Sequence, residues 1–283
     1  MSTLPFLRTF CRECYSEPEA VYEKLKRSGM DLVTVTDHDS IDVVGDLGHH
    51  PDFFQSEEVT CHMPSGTEAH LGVYDITERQ HIEIQWRRKD MPSLLAYLGE
   101  QDIVYSLNHP FSSLTGRRVP GDFTWFEAFF PVLEVCNGHL LARNNCLARE
   151  LARQGGKAGF AGSDAHTLLS VGSAFTEVPG ARNRFEFIDG LKRSRTKVHG
   201  SAGGYWRLTR DLVWIGLETL WDTPATILFS PLILAIPLAT LCNCLLEIQF
   251  ARQWGQSLIE RKNKWQGGIT RSITLINSGE ASI

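Results

Sequence analysis

The chain has no excess of positive charge. It carries 28 Lys and Arg residues against 33 Asp and Glu residues, a formal net charge of −5. Proteins that bind duplex nucleic acid usually carry a basic stripe or patch, so no duplex partner is expected, although a nucleotide-sized substrate is compatible with this charge. Residues 1–10 also lack the basic start and the apolar stretch of a secretory signal. These absences favour a cytoplasmic protein.

The seven cysteines are odd in number and scattered along the chain. Cys11 and Cys14 form one C-x-x-C, but no second pair accompanies it, and Cys242 and Cys244 lie in an apolar run. A structural zinc site or a redox motif normally needs a second pair or a helix-start context. Reduced thiols in a reducing compartment are therefore predicted. No residue stands out as a covalent nucleophile.

Short apolar runs alternate with amphipathic stretches through the first 165 residues. Strands are predicted at 31–36, 58–61, 70–74, 103–107, 132–136 and 157–161. Helices are predicted from a Ser16 cap to Gly29, over 83–100, near 125–130 and over 140–154. This alternation is typical of an α/β fold, in which a parallel sheet or barrel is surrounded by helices.

Three polar clusters directly follow predicted strands. They are Thr-Asp-His-Asp at 36–39, Asn-His-Pro at 108–110 and Ser-Asp-Ala-His at 163–166. Asp164 and His166 are two residues apart and can point the same way from a strand end, while Pro110 is expected to hold His109 extended. Imidazole and carboxylate ligands suit Zn²⁺, Mn²⁺ or Fe²⁺. The clusters therefore predict a site for two or three divalent metal ions and a metal-dependent hydrolase.

The ordered motifs resemble those of the polymerase-and-histidinol-phosphatase (PHP) family. The resemblance covers about residues 16–180 and adds Glu-Val-Thr at 58–60 and His-Leu-Gly at 70–72 to the three clusters. It implies a distorted seven-stranded β/α barrel, written (β/α)7, with metals at the carboxyl ends of the strands. It also implies hydrolysis of a phosphoester by metal-activated water.

The resemblance also assigns roles to individual residues. Asp37 is implied as a ligand or as a residue that orients one, Glu57 is an alternative to Glu58, and His38 and His166 are candidates for proton transfer. The implied metal ligands are Asp37, His38, Glu58, His70, His109, Asp164 and His166.

The N-terminal region departs from the family pattern, because no His-x-His motif precedes His38. Cys11, Glu13 and Cys14 are the only nearby substitutes, and they directly precede the expected helix cap. The barrel is therefore expected to lack its first strand, with Met1 downstream of it. An alternative function follows, in which a degenerate barrel binds metal or ligand without turnover and serves as a regulatory or scaffold module. Hydrolysis of a C–N or carboxylic ester bond is a third possibility.

Candidate substrate contacts are few. Arg117 and Arg118 follow His109, and Asn137 and Arg143 follow the strand at 132–136. Arginine can bind phosphate through two parallel hydrogen bonds, so a small phosphorylated metabolite, a nucleotide or a short oligonucleotide is the predicted substrate.

The composition changes after about residue 200, so we expect a catalytic domain at 1–200 and an apolar helical appendage at 201–283. No charged residue lies between Asp222 and Glu247. A helix of about 24 residues is about 36 Å long, enough to cross a bilayer core. Residues 223–246 therefore predict membrane contact, with the protein attached to the inner face. Pro231 and Pro237 leave an interfacial hairpin or a buried dimerisation helix as alternatives.

Overall fold

The structure, a computed structural model, describes residues 16–222 and 224–277, apart from the side chains of 224–229 and 257–277. Helix α1, Pro18–Arg27, begins after Glu17 rather than at the expected Ser16 cap, and no side chain caps it. Pro18 takes the first helical position, where its missing N–H costs nothing. Gly29 follows the helix at a φ of +85°, a conformation that glycine adopts without strain.

The main sheet has five strands in the order β1 to β5. They are β1 Ser56–His62, β2 Glu68–Tyr74, β3 Val104–Leu107, β4 Val132–Asn137 and β5 Ala158–Gly162, each within two residues of a predicted strand. The predicted strand at 31–36 is wrong as a regular strand. That segment forms only isolated bridges, from Val33 to Phe53 and from His38 to Glu58.

The expectation of a parallel sheet is confirmed for only part of it. β1 pairs antiparallel with β2, and β2 antiparallel with β3, whereas β3, β4 and β5 run parallel. Residues 63–67 connect β1 to β2 through a tight turn, which is far too short for the crossover that parallel strands need. β6 Ala174–Glu177 and β7 Lys197–Gly200 form a separate antiparallel pair. The fold is mixed α/β, and its described strands form two sheets rather than one seven-stranded ring.

The helices pack around this sheet. The predicted helix at 83–100 is two helices, because Asp90 caps a new start and accepts a hydrogen bond from the Ser93 N–H. Phe126 and Leu94, on two of these helices, are fully buried against Leu71 and Leu133 of the sheet, and burying such a side chain contributes about 1.5–3 kcal/mol. The helices before residue 200 are α2 Val44–Leu47, α3 Glu78–Arg87, α4 Met91–Glu100, α5 Pro120–Phe129, α6 Ala142–Gly155 and α7 Arg184–Lys192.

The C-terminal part comprises α8 Tyr205–Asp222, a 3-10 segment Pro224–Ala235 and α9 Ile236–Asn277. α9 is docked on the first 200 residues: Trp254 packs against Phe123, and the buried Glu247 carboxylate accepts hydrogen bonds from Ser113 and Asn144. The domain boundary near residue 200 stays a prediction.

One helical stretch, Ser230–Gln256, is long and apolar enough to cross a membrane by length and composition alone. Leu234, Leu238, Leu241 and Leu245 are exposed along it, but Glu247 within the same stretch is bonded to protein. Membrane contact through 223–246 stays a prediction.

Candidate metal centre

One buried carboxylate, that of Glu58, lies among three imidazoles. Its Oε1 is 3.2 Å from His109 Nε2 and 3.4 Å from His70 Nδ1, and its Oε2 is 3.6 Å from His38 Nε2. Asn108 donates a hydrogen bond of 2.9 Å to Oε1 from its amide. The side-chain donors of His38, Glu58 and His70 all lie within 4.8 Å of one another. These residues come from four separate segments of the chain.

Backbone pairing brings these segments together. The segment before β1 reaches the strand through the bridge between His38 and Glu58, in which the Glu58 N–H donates to the Asp37 carbonyl. His70 lies opposite Thr60 in the β1–β2 hairpin, and its carbonyl accepts from the Asn108 N–H at the end of β3. His70 therefore enters the site from the start of an antiparallel strand, rather than from the carboxyl end of a parallel one.

His109 has an unusual backbone conformation. Its φ is +30°, so the expectation that Pro110 holds it extended is wrong. The Glu134 carboxylate compensates by accepting a hydrogen bond of 2.8 Å from the His109 N–H. Asp164 also has a positive φ, of +47°. Such conformations are strained for residues other than glycine and are found at functional sites.

Alternation along β1 separates the two candidate glutamates. Glu58 faces the histidine cluster, whereas Glu57 faces the other side and accepts hydrogen bonds from His81 Nδ1 and Gln85 Nε2, both of 2.8 Å. The geometry therefore places Glu58, and not Glu57, beside His38, His70 and His109.

A second group of acidic residues, Glu134 and Asp164, lies in the same cleft as Glu58. The Asn137 amide donates both to Glu134 Oε2, at 3.1 Å, and to Asp164 Oδ2, at 3.0 Å. His166 Nδ1 lies 3.2 Å from the Asp164 carbonyl oxygen, and its ring is 5.8 Å from that of His139. All of these residues except His139 line one open cleft of about 1330 Å³ that also includes Asp37, His38 and Glu58.

The charges at the site reinforce one another. Burial opposes ionisation of Glu58, but the neighbouring imidazoles of His109 and His70 outweigh it and hold the pKa of Glu58 well below its usual range. Burial likewise lowers the pKa of His70, yet the Glu58 and Glu68 carboxylates prevail and raise it to about 9. Burial raises the pKa of Glu134 to about 7. Glu58 is therefore ionised, whereas the Glu134 carboxyl group can hold a proton near neutral pH.

The donor set around Glu58 fits a divalent metal ion. The buried Nδ1 of His70 makes no hydrogen bond, although it lies 3.4 Å from Glu58 Oε1. Donors about 2.0–2.2 Å from a shared tetrahedral ion are separated by about 3.3–3.6 Å, and the 3.2–3.6 Å between the two Glu58 oxygens and the three imidazole nitrogens lies close to that spacing. Imidazole and carboxylate donors suit zinc, manganese and iron, so the residues support divalent metal binding.

The residues predicted to contact the substrate do not come together in the cleft. Arg118 is buried and does not line the cleft, because its guanidinium donates to Thr115 Oγ1 and to the Glu68 carbonyl and lies over the Phe126 ring. Arg117 and Arg143 are exposed and also lie outside the cleft lining. Asn137 lines the cleft, but its amide holds Glu134 and Asp164.

Sequence reasoning missed several residues near the site. Glu134 lies in β4, where every residue is buried, and a charged residue in such a strand is itself a signal. His139, which no polar cluster includes, is partly buried beside His166, and burial lowers its pKa. Arg182 and Arg184 line the cleft, and no motif marks them. Cys11, Glu13 and Cys14 lie outside the described residues.

One model of a known protein family matches part of the chain. Residues 142–196, which include α6, β5, Asp164 and His166, match the family model described as PHP-associated. The match covers 55 of the chain's 283 residues, so it shows that this part of the chain is similar to PHP proteins. No curated protein matches its sequence.

Solved structures resemble this chain at low sequence identity. PsfC from Pseudomonas syringae is 18% identical with a TM-score of 0.53, over 72% of this chain and 89% of PsfC. The lesion-specific endonuclease PfuEndoQ from Pyrococcus furiosus is 15% identical with a TM-score of 0.47, over 66% of this chain and 54% of the endonuclease. A Bifidobacterium adolescentis protein described as a metal-dependent phosphoesterase is 12% identical with a TM-score of 0.39, over 54% and 84%. The likeness to PsfC supports the fold.

Proposed function

We propose that this PHP-like protein hydrolyses a phosphoester in a small phosphorylated metabolite, a nucleotide or a short oligonucleotide, with two or three divalent metal ions. The observation that carries the proposal is the buried Glu58 carboxylate, which lies within 3.6 Å of three imidazoles at a wide cleft. An acid–imidazole cluster of this kind binds ions that act on phosphate oxygens.

The two halves of the site would hold the ions. His38, Glu58, His70 and His109 supply the first group of donors, and Asp164 and His166 supply a second group, with Asp37 beside His38. Bound there, divalent ions would polarise the phosphate and make water a better nucleophile at neutral pH. Glu58 bears the charge that this needs, because its pKa lies well below the usual range.

Asn137 and Glu134 position the groups around them. The Asn137 amide ties Asp164 to Glu134, and Glu134 fixes the strained backbone of His109. His166 Nδ1 faces the Asp164 carbonyl oxygen, which can only accept, so this nitrogen carries the ring proton in neutral His166. Its Nε2 then carries the free lone pair, which would bind an ion or, where no ion occupies it, exchange a proton with the leaving group. His38 is the alternative proton carrier.

The cleft suggests where the rest of the substrate binds. Its volume of about 1330 Å³ exceeds the roughly 300–1,000 Å³ of ordinary small-molecule pockets, so there is room for a nucleotide or a short oligonucleotide. Arg182 and Arg184 line it. Arg184 contacts Asp75 at 3.3 Å, which leaves Arg182 as the stronger candidate for binding phosphate. Arg182 takes the role that the sequence assigned to Arg117, Arg118 and Arg143.

Hydrolysis by the full-length protein tests the proposal. Metal-free protein is supplied with Mn²⁺ or Zn²⁺, and phosphate release is measured from a generic aryl phosphate, nucleotides and short oligonucleotides. We expect metal-dependent release that falls at least about 100-fold in His109→Ala, since a lost ligand removes stabilisation of several kcal/mol. His62→Ala, an exposed histidine on β1, is the matched control.

The same assay distinguishes an enzyme from the alternative function, a binding module without turnover. Arg182→Ala is expected to raise KM for nucleotides with little change in kcat, because Arg182 would bind the substrate outside the reacting centre. If the wild-type chain binds metal but hydrolyses none of these substrates, the enzyme proposal is wrong, and a binding module without turnover takes its place.

A further inference from the structure

Glu19, His49 and His50 form a second group of metal-ligand side chains, which shares no residue with the Glu58 cluster. Their donor atoms all lie within 4.8 Å of one another. His50 Nε2 is 3.1 Å from Glu19 Oε2, and His49 Nε2 is 3.7 Å from Glu19 Oε1. Glu19 lies in the first turn of α1, and the two histidines follow α2, so the group joins segments that are about 30 residues apart in sequence.

The spacing suits a tetrahedral ion. Donors bound about 2.0–2.1 Å from zinc in a tetrahedral arrangement are separated by about 3.3 Å. Glu19 Oε1 lies 3.3 Å from His50 Nε2 and 3.7 Å from His49 Nε2, close to that value. Both imidazoles approach the carboxylate through Nε2, and the three donor atoms lie within 4.8 Å of one another, which is close enough to share one ion.

The least exposed of the three, His50, is held in place before any ion binds. Its ring stacks on Tyr22, with centroids 3.7 Å apart and planes 14° from parallel. The Tyr22 hydroxyl donates to Asp52, which also pairs with Lys26. The His50 backbone is fixed too, since its N–H donates to the Leu47 carbonyl and its carbonyl accepts from the Phe53 N–H. A metal site gains affinity when its ligands are oriented in advance in this way.

The ligand types identify the class of ion. Two imidazoles and one carboxylate are typical of zinc and similar transition metals, whereas Mg²⁺ and Ca²⁺ prefer oxygen ligands. Three protein ligands leave the fourth tetrahedral position for water. Glu19 and His49 are half or more exposed, so an ion can reach the site directly from solvent.

We propose that Glu19, His49 and His50 bind a Zn²⁺-type divalent cation that fastens α1 to the segment after α2. Both segments belong to the wall of the wide cleft, which Pro18 and Leu25 line from α1 and Pro51 and Asp52 line from the other side. A bound ion would close a loop of about 30 residues and restrict the movement of that wall. The ion is thus structural or regulatory and takes no part in the reaction at Glu58.

Zinc titration of full-length, untagged protein tests this proposal. The Glu58→Gln variant is used as the background so that the central site contributes little, and zinc binding is measured by calorimetry in Glu58→Gln, Glu58→Gln/His49→Ala and Glu58→Gln/His62→Ala. We expect the His49 variant to bind zinc at least 10-fold more weakly, because one of three ligands is lost. The His62 variant, which lacks an exposed histidine elsewhere, should bind as the background does.

Hydrogen exchange of the backbone supplies a second measurement that does not depend on activity. Zinc should slow exchange in residues 47–53 of the Glu58→Gln protein and leave it unchanged in the His49→Ala derivative. The proposal is overturned if both proteins bind zinc equally well, or if zinc leaves exchange in 47–53 unaltered. Failure of the hydrolysis assay would leave this result untouched, since Glu58 is already replaced.

Discussion

Two clusters in this chain combine one glutamate with histidines, yet their surroundings differ. The Glu58 side chain is 9% exposed and lies among imidazoles that are mostly buried. The Glu19 side chain is 50% exposed, and its partner His49 is 65% exposed. Coulombic interactions are several-fold stronger away from water, so the same residue types act differently in the two places.

The difference shows that burial makes the members of a cluster depend on one another. Glu58 stays ionised in the interior only because His70, His109 and Asn108 surround it, and the pKa of His70 rises to about 9 in turn. Water screens the pairs around Glu19, and exposed ion pairs contribute about 0–1 kcal/mol. Without metal, the buried cluster should matter for folding and the exposed one should not.

The largest effect is expected from Glu58→Gln. Because Glu58 is the carboxylate shared by three imidazoles, its replacement should weaken Mn²⁺ binding at the centre at least about 100-fold and abolish metal-dependent hydrolysis. Calorimetry and elemental analysis of the purified protein measure the loss.

The neighbouring buried acid on β1 gives a matched control. Glu57→Gln replaces a glutamate of equal burial that faces His81 and Gln85, so it should cost about 1–3 kcal/mol of unfolding free energy and leave metal affinity unchanged. If Glu57→Gln and Glu58→Gln lost metal equally, the two faces of β1 would not differ in metal binding.

The second-largest effect is expected in the stability of the metal-free protein, which should depend on pH through the buried Glu58 cluster. His70 has its pKa raised to about 9 from the ordinary 6.5, so it contributes stability to the metal-free fold that is fully present below pH 6.5 and is lost as the pH rises to 9. The shift corresponds to about 3 kcal/mol. Urea unfolding of metal-free protein between pH 6.5 and 9 measures this loss.

Metal binding should show the opposite trend over the same range. A ligating imidazole must give up its proton, so Mn²⁺ affinity should increase up to about pH 9 and then level off. A flat affinity across this interval would mean that His70 is not a ligand.

The sequence predicts the parts of the site that depend on local pattern. Apolar runs followed by polar clusters locate β3, β4 and β5, and with them His109, Asn137 and Asp164. These features depend on residues that are close in sequence, where side-chain period and strand length leave few alternatives. The sequence leaves Glu57 as an alternative to Glu58, and only the contacts in the structure separate the two.

The remaining features depend on tertiary structure. The local sequence does contain a turn signal between β1 and β2, Pro-Ser-Gly at 64–66. The expected parallel arrangement disregards it, so the direction from which His70 enters the site is not predicted. The φ of His109 depends on a hydrogen bond from its N–H to Glu134, 25 residues away. Arg118 resembles a surface arginine until Thr115, Glu68 and Phe126 enclose it.

The smallest effect is expected at the exposed cluster of Glu19, His49 and His50. Glu19→Gln should change the unfolding free energy of metal-free protein by no more than about 0.5 kcal/mol, because exposed substitutions rarely exceed that range. With zinc at 100 times its dissociation constant, a single native-state site would stabilise the wild type by about 2.7 kcal/mol, and Glu19→Gln should lose most of that gain. Urea unfolding of both proteins, with and without zinc, measures the two differences. A large loss of stability in metal-free Glu19→Gln would mean that the exposed cluster, like the buried one, is held together by its own charges rather than completed by an ion.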